Sequence, residues 1–143
     1  MSNNLHPSFE RDVLIRFSHC DPAGIVFFPQ YLVLFNQHVE DWFNQCLCMN
    51  YAKFIGQRRI GLLIVKLECD FKAPSKMGEK VMLGLGVSEI GLNSFSLEMI
   101  CHTDNELRVF ARKTLMTTSL DTNQSVPLPL DLQTQLQRFA MLN

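Results

Sequence analysis

The sequence predicts an α+β fold in which an antiparallel sheet of about five strands wraps around one long central helix. Two patterns carry this expectation. From Pro29 to about Cys48, apolar residues recur at helical spacing over most of the circumference, and such a helix needs cover on nearly every side. Before and after it, apolar and polar residues alternate with period two in runs separated by Gly, Pro, Asn and Asp. A length of 143 residues suits a single domain, residues 1–143, with chain enough to bury a core without disulfide or metal staples.

Residues 10–18 form the first expected strand, with Val13, Ile15 and Phe17 on one face, and it delivers Asp21 just past its end. In the helix, Tyr31, Leu34, Phe35, Trp42 and Phe43 make the apolar face, while Asn36, Gln37, Glu40, Asp41 and Asn44 form a narrower polar strip. His38 lies about 14 Å along the axis from Pro29 at 1.5 Å per residue, so a partly buried structural role suits it better than proton transfer beside Asp21. Residues 50–59 read as a short helical turn and a basic link, Gln57-Arg58-Arg59.

Four further strands follow. Residues 62–71 place Val65, Leu67, Cys69 and Phe71 inward and Lys66, Glu68 and Asp70 outward. After a Pro- and Gly-containing loop, residues 80–90 put Val81, Leu83, Leu85 and Val87 on one face and Gly84 and Gly86 on the other, where a close approach to the backbone is possible. Beyond the Gly91-Leu92-Asn93 turn, Phe95, Leu97, Met99 and Cys101 alternate with polar residues; Asp104-Asn105 turns the chain into a last strand, 107–119. A terminal helix is expected from near Asp131, packing through Leu132, Leu136 and Phe139.

Composition excludes several function classes. Hydrophobic residues make up 47% and charged residues 19%, an ordinary soluble globular balance. Thirteen basic against fourteen acidic residues, a net charge of -1, argue against a nucleic-acid partner, which requires a basic footprint. No apolar run reaches the roughly 18 residues of a membrane span, and the segment Met1-Ser2-Asn3-Asn4-Leu5-His6-Pro7 lacks a basic-then-apolar leader pattern. A cytoplasmic protein with no membrane partner is therefore expected. The five cysteines are odd in number and irregularly spaced, and Cys46-Leu47-Cys48 lacks the two-residue gap of a metal knuckle, so free thiols and no bound metal are expected.

The chemistry concentrates between His19 and Tyr31. Pro22 fixes φ and Gly24 tolerates positive φ, so Asp21-Pro22-Ala23-Gly24 is a turn that presents the Asp21 carboxylate at a defined place. Pro29 suits a first helical position, and the amides around it carry the positive end of the helix dipole. A carbonyl oxygen lodged there is polarised, and a carboxylate nearby can attack that carbonyl or activate water towards it. Acyl transfer, and hydrolysis in particular, is the reaction class this suggests. An Asx turn that merely closes the loop accounts for the same aspartate.

The segment Asp21-Pro22-Ala23-Gly24-Ile25-Val26-Phe27-Phe28-Pro29-Gln30-Tyr31 closely resembles the signature of the 4-hydroxybenzoyl-CoA thioesterase family of hot-dog-fold proteins. The resemblance implies a hot-dog fold and an acyl-CoA thioesterase acting on an aromatic (4-hydroxybenzoyl-like or dihydroxynaphthoyl-like) or short-chain acyl-CoA. It assigns Asp21 as nucleophile or general base and the main-chain N–H of Phe28 as the oxyanion donor. Gly24, Phe27 and Tyr31 are the associated substrate-contact candidates, although Tyr31 suits core packing better and the two phenylalanines suit it equally. Coenzyme A is then part of the substrate, and no separate cofactor is implied. A homodimer or homotetramer is implied too, with the site at a subunit boundary.

Two departures from the family pattern stand out. Phe28 occupies a position held by tyrosine or histidine in relatives, which keeps the amide and removes a polar side chain. The 91–94 hairpin carries no basic cluster for the nucleotide phosphates, leaving Lys72, Lys76, Arg108, Arg112 and Lys113 as candidates. Three alternatives use the same residues: a thioester dehydratase, a non-catalytic acyl-CoA binding domain, and an assembly module.

Overall fold

The structure, a computed structural model, describes residues 8–104 and 106–141. The elements run β1 (Phe9–Leu14), α1 (Pro29–Gln45), α2 (Tyr51–Gly56), β2 (Ile60–Phe71), β3 (Lys80–Ile90), β4 (Ser94–Thr103), β5 (Glu106–Ser119) and α3 (Leu130–Met141). The five strands form one antiparallel sheet in the order β1-β3-β4-β5-β2. Cross-strand partners share a face, so the ladders through Leu85, Met99 and Ala111 and through Leu83, Cys101 and Val109 mark the side that meets α1. All six are buried, as are Tyr31, Leu34, Phe35, Val39, Trp42 and Phe43 of the helix. The α+β wrap expected from the two periodicities is what forms.

α1 stops at Gln45 rather than at Cys48, because Cys48 takes a left-handed conformation (φ 54°) and Met49 turns its N–H back to the Phe43 carbonyl. Its polar strip is exposed at Asn36, Gln37, Glu40 and Asn44 as expected, while Asp41 is half-buried and paired with Arg11 at 2.7 Å. His38 is fully buried, stacked on Phe9, with Nε2 3.1 Å from the Phe9 carbonyl oxygen. Burial lowers its pKa to about 4. α3 packs Leu132, Leu136 and Phe139 inward, with Phe139 edge-on to Trp42. The basic link is tied to the C-terminal part of the chain, Arg58 to Asp131 at 2.7 Å and Arg59 to Asp121 at 3.1 Å, and does not border the Asp21 loop.

Two further expectations are corrected. The first strand is shorter than residues 10–18. After Ile15, which is buried, the backbone enters a 3-10 turn over Phe17–His19, and Phe17 lies outside the sheet and exposed. The His19 ring accepts from the Arg16 N–H at 2.9 Å, a local bond that competes with continued strand pairing.

The second correction concerns β2. Leu67 and Phe71 do point to the α1 side, in register with Lys113 and Val109, but they are 41% and 48% exposed, and Val65 sits in a register shift between Ile64 and Lys66 at 51% exposure. β2 is an edge strand beyond the cover of the helix, so inward-pointing is not buried. The Asp104-Asn105 turn falls partly outside the described residues, as do Met1–Pro7. Among the described residues no helix is long and apolar enough to cross a membrane, and no group of three or more His, Cys, Asp or Glu is placed to hold a metal ion.

Candidate active site

Residues 19–27 form a tight loop closed by its own backbone. Asp21 N–H donates to the Ile25 carbonyl at 3.0 Å, Gly24 N–H to the Asp21 carbonyl at 2.9 Å, and Phe27 N–H to the His19 carbonyl at 3.0 Å. Gly24 has φ +79°, a conformation L side chains rarely adopt, which explains glycine there without a substrate contact. The Asp21 side chain makes the Asx-turn bond: Oδ1 accepts from Ala23 N–H at 2.9 Å. Oδ2 accepts no hydrogen bond among the described residues.

A second loop clamps the first. Val26 N–H donates to Ser75 and Met77 N–H donates to Gly24, both at 2.9 Å, so the 73–78 segment lies against the Asp21 loop. That segment is fixed by Arg108 of β5, which is 7% exposed. Its guanidinium donates to the Pro74 carbonyl at 3.0 Å and makes paired 3.0 Å bonds to Glu79 Oε1 and Oε2. The bidentate contact to Arg108 holds the Glu79 carboxyl down at about 2.

Phe28 is the N-cap of α1, with φ -52° and ψ -37°, and Pro29 follows at the first helical position. The amides here are unequal. Pro29 has none, Gln30 N–H donates to the Phe27 carbonyl at 2.8 Å, and Tyr31 N–H donates to the Phe28 carbonyl at 3.1 Å. The Phe28 N–H donates to no acceptor among the described residues. It is an open donor at the positive end of a 17-residue helix.

The rings around it make an open aromatic rim. Phe28 packs edge-on against Phe27 at 5.5 Å and Phe71 at 6.0 Å, and Tyr31 lies 5.9 Å from Phe71. Phe27 and Phe28 are 50% and 58% exposed, so neither is core. Tyr31 is buried, and burial raises its phenol pKa. Its edge, with Val26, Phe28, Phe71, Lys72, Ala73 and Pro74, lines a pocket of about 280 Å³ beside the open amide. Phe27 stands outside that lining.

Of the five cationic candidates for coenzyme A phosphates, Arg108 is committed to Glu79 and Arg112 to Glu98. Lys113 is buried on the inner face of β5. Lys72 and Lys76 remain exposed on the loop beside the pocket. Sequence reasoning missed the Arg108–Glu79 clamp, which joins two strands far apart in the chain. It also missed the burial of Lys113, although its place in phase with Val109, Ala111 and Leu115 was a readable signal.

Comparison with known proteins places the fold that carries this loop. The profile of the Thioesterase-like superfamily matches residues 15–136, which spans the Asp21 loop, α1 and all later strands. The chain belongs to the Thioesterase-like superfamily. Among relatives of this thioesterase-like chain, a 1,4-dihydroxy-2-naphthoyl-CoA hydrolase of Synechococcus elongatus is 27% identical over 125 residues, 87% of this chain and 91% of that protein. A thioesterase-superfamily structure from Jannaschia superposes with a TM-score of 0.87 at 20% identity, covering 97% of each chain. A gentisyl-coenzyme A thioesterase superposes with a TM-score of 0.81 at 22% identity, covering 90% of this chain and 99% of that one. These likenesses establish the hot-dog fold of the thioesterase-like chain.

Proposed function

We propose that this thioesterase-family enzyme hydrolyses an aromatic acyl-CoA, of the dihydroxynaphthoyl or hydroxybenzoyl class, to the free acid and coenzyme A. The observation that carries the reading is the open Phe28 amide at the start of α1, reached from the Asp21 carboxylate through one closed loop. In this reading the thioester carbonyl oxygen accepts from the Phe28 N–H. A carboxylate oxygen of Asp21 adds to the carbonyl carbon, or removes a proton from a water that does so. The carbonyl π pair moves onto oxygen, and the resulting oxyanion keeps the same hydrogen bond. Its collapse expels the coenzyme A thiolate. Direct attack leaves an acyl anhydride on Asp21, which water then opens to the acid.

The aromatic rim of Phe27, Phe28, Phe71 and Tyr31 supports an aryl acyl group, and the dihydroxynaphthoyl-CoA hydrolase relative supports the same class. Lys72 and Lys76 are the cations free to meet the coenzyme A phosphates. The unpaired edge of β2, with its exposed Val65, Leu67 and Phe71, supports a homodimer formed at that strand.

The test is thiol release from a panel of aromatic and aliphatic acyl-CoAs by the wild type and Asp21→Asn. Asn keeps the Asx-turn acceptor and removes the base. A rate loss on the order of 10² to 10⁴ with the fold retained is expected. The Ala23-to-Asp21 bond also fits a non-catalytic acyl-CoA binding domain, and binding of the panel without thiol release from any member selects that reading.

A further inference from the structure

Lys113 lies where the sheet is otherwise apolar. Its neighbours in phase along β5, Val109, Ala111 and Leu115, are all buried, and Lys113 itself is 4% exposed. An ammonium has three N–H donors. One donates to Asn36 Oδ1 of α1 at 3.0 Å, and among the described residues no carboxylate pairs with it. Burial lowers its pKa to about 8. Taking a cation out of water with one neutral acceptor is costly, and the cost is offset only when another acceptor reaches it.

The ammonium borders a cavity of about 330 Å³ between α1, β2 and β5, walled by Val33, Leu62, Ile64 and Leu115 with Asn36 and Glu40 at its polar side. This cavity and the pocket at Phe28 lie along the same two elements, α1 and β2, and share no lining residue. On the helix side, Asn36 is eight residues past Phe28, or about 12 Å at 1.5 Å per residue. On the strand side, Phe71 packs against Phe28 while Leu67 is the register partner of Lys113. Those two residues are four apart, or about 13 Å at 3.3 Å per residue. The two independent paths agree. Hydrogen bonds of about 3 Å at each end leave roughly 6–7 Å between them, the length of an aryl group with an oxygen on its far side and much less than a long alkyl chain.

We propose that Lys113, oriented by Asn36, is a specificity residue that receives a hydroxyl or carboxylate oxygen on the side of the aryl acyl group remote from the thioester. The inference rests on the thioesterase reading for the position of the thioester at Phe28. It does not depend on turnover for its test. In an Asp21→Asn background, binding of benzoyl-CoA and 4-hydroxybenzoyl-CoA is measured calorimetrically with Lys113 present and with Lys113→Met, which keeps the unbranched stem.

With Lys113 present, the hydroxylated ester binds more tightly, and Lys113→Met cuts that preference by on the order of ten-fold or more. Asn36→Asp, on the exposed face of α1, supplies the ammonium with an internal carboxylate and reduces the preference in the same direction. Equal weakening of both esters by Lys113→Met, or an unchanged preference in both variants, overturns the proposal. Absence of thiol release from either ester by the wild type overturns the thioesterase reading instead, and the two failures are read from separate measurements.

Discussion

Replacing Phe28 with proline removes one atom group of consequence, the open N–H. The native φ of -52° lies inside the proline range of about -65 ± 15°, so the ring suits the backbone angle at residue 28. No hydrogen bond is lost, because that N–H donates to no acceptor among the described residues, and Phe27 N–H keeps its bond to His19. The lost side chain is 58% exposed, which limits the stability cost to about 1 kcal/mol from a full-burial value of roughly 1.5–3 kcal/mol. Removal of a single oxyanion donor costs about 10² to 10³ in kcat, roughly 2.7–4 kcal/mol of transition-state stabilisation.

Phe28→Ala is the companion variant, since it deletes the same ring and keeps the amide. Steady-state thiol release at saturating aryl-CoA, with melting curves on the same preparations, separates the two effects. A proline variant that is folded and at least 10²-fold slower than the alanine variant is the expected outcome. Proline and alanine variants of equal activity refute the assignment of the oxyanion to this amide, whatever Asp21→Asn does.

Three further outcomes are expected. His38 has its folded pKa depressed to about 4 from 6.5, so the unfolded chain binds the extra proton between those values. Stability is accordingly lost as pH falls through that window, by up to about 3 kcal/mol, and denaturant titrations of His38→Phe should show a shallower pH dependence between 6.5 and 4. Glu79→Gln leaves Arg108 with Glu106 as its carboxylate partner and a neutral amide in place of the bidentate contact, and should lower stability by about 2 kcal/mol; because the Glu79 pKa is held down at about 2, the wild-type advantage should be complete above about 4.5 and fade as pH drops towards 2. Val65→Lys places a charge on the exposed edge strand, and sedimentation velocity should then report a smaller species than the wild type.

Much of the fold was legible because it is periodic. Tyr31, Leu34, Phe35, Trp42 and Phe43 at helical spacing marked the face of α1 that is buried, and the alternations of β3 and β4 gave their buried apolar residues, although Gly84, Gly86 and Ser96 of the opposite face are buried too. The Asp21 turn was legible because the residues that shape it are contiguous. The exposure of β2 was not, because alternation reports which way a side chain points, while cover depends on strand order. Among the described residues β2 pairs only with β5, some fifty residues later, and that leaves it at the rim. The 3-10 turn after Ile15 was hidden for a related reason: Phe17 continues the period-two pattern, while the backbone turns on local bonds, the Arg16 N–H donating to the His19 ring among them. The Phe28 amide was assigned by resemblance, but its freedom follows from which neighbours have their own acceptors, a property of the folded first turn of α1.

The clamp between Arg108 and Glu79 also has a bearing on synthesis. Asp21 leaves the ribosome early, yet the segment that braces its loop, residues 73–78, is anchored by a side chain from the fifth strand. The brace on the loop that carries the candidate carboxylate therefore forms only after about three quarters of the chain has been made. β2 likewise waits for β5 before it has any strand to pair with. An N-terminal fragment ending before β5 contains every residue of the Asp21 motif and the whole of α1, and still lacks the brace that holds them in register. Bracing of the Asp21 loop is thus a late event in the life of the nascent chain, coupled to closure of the sheet rather than to formation of the helix it adjoins.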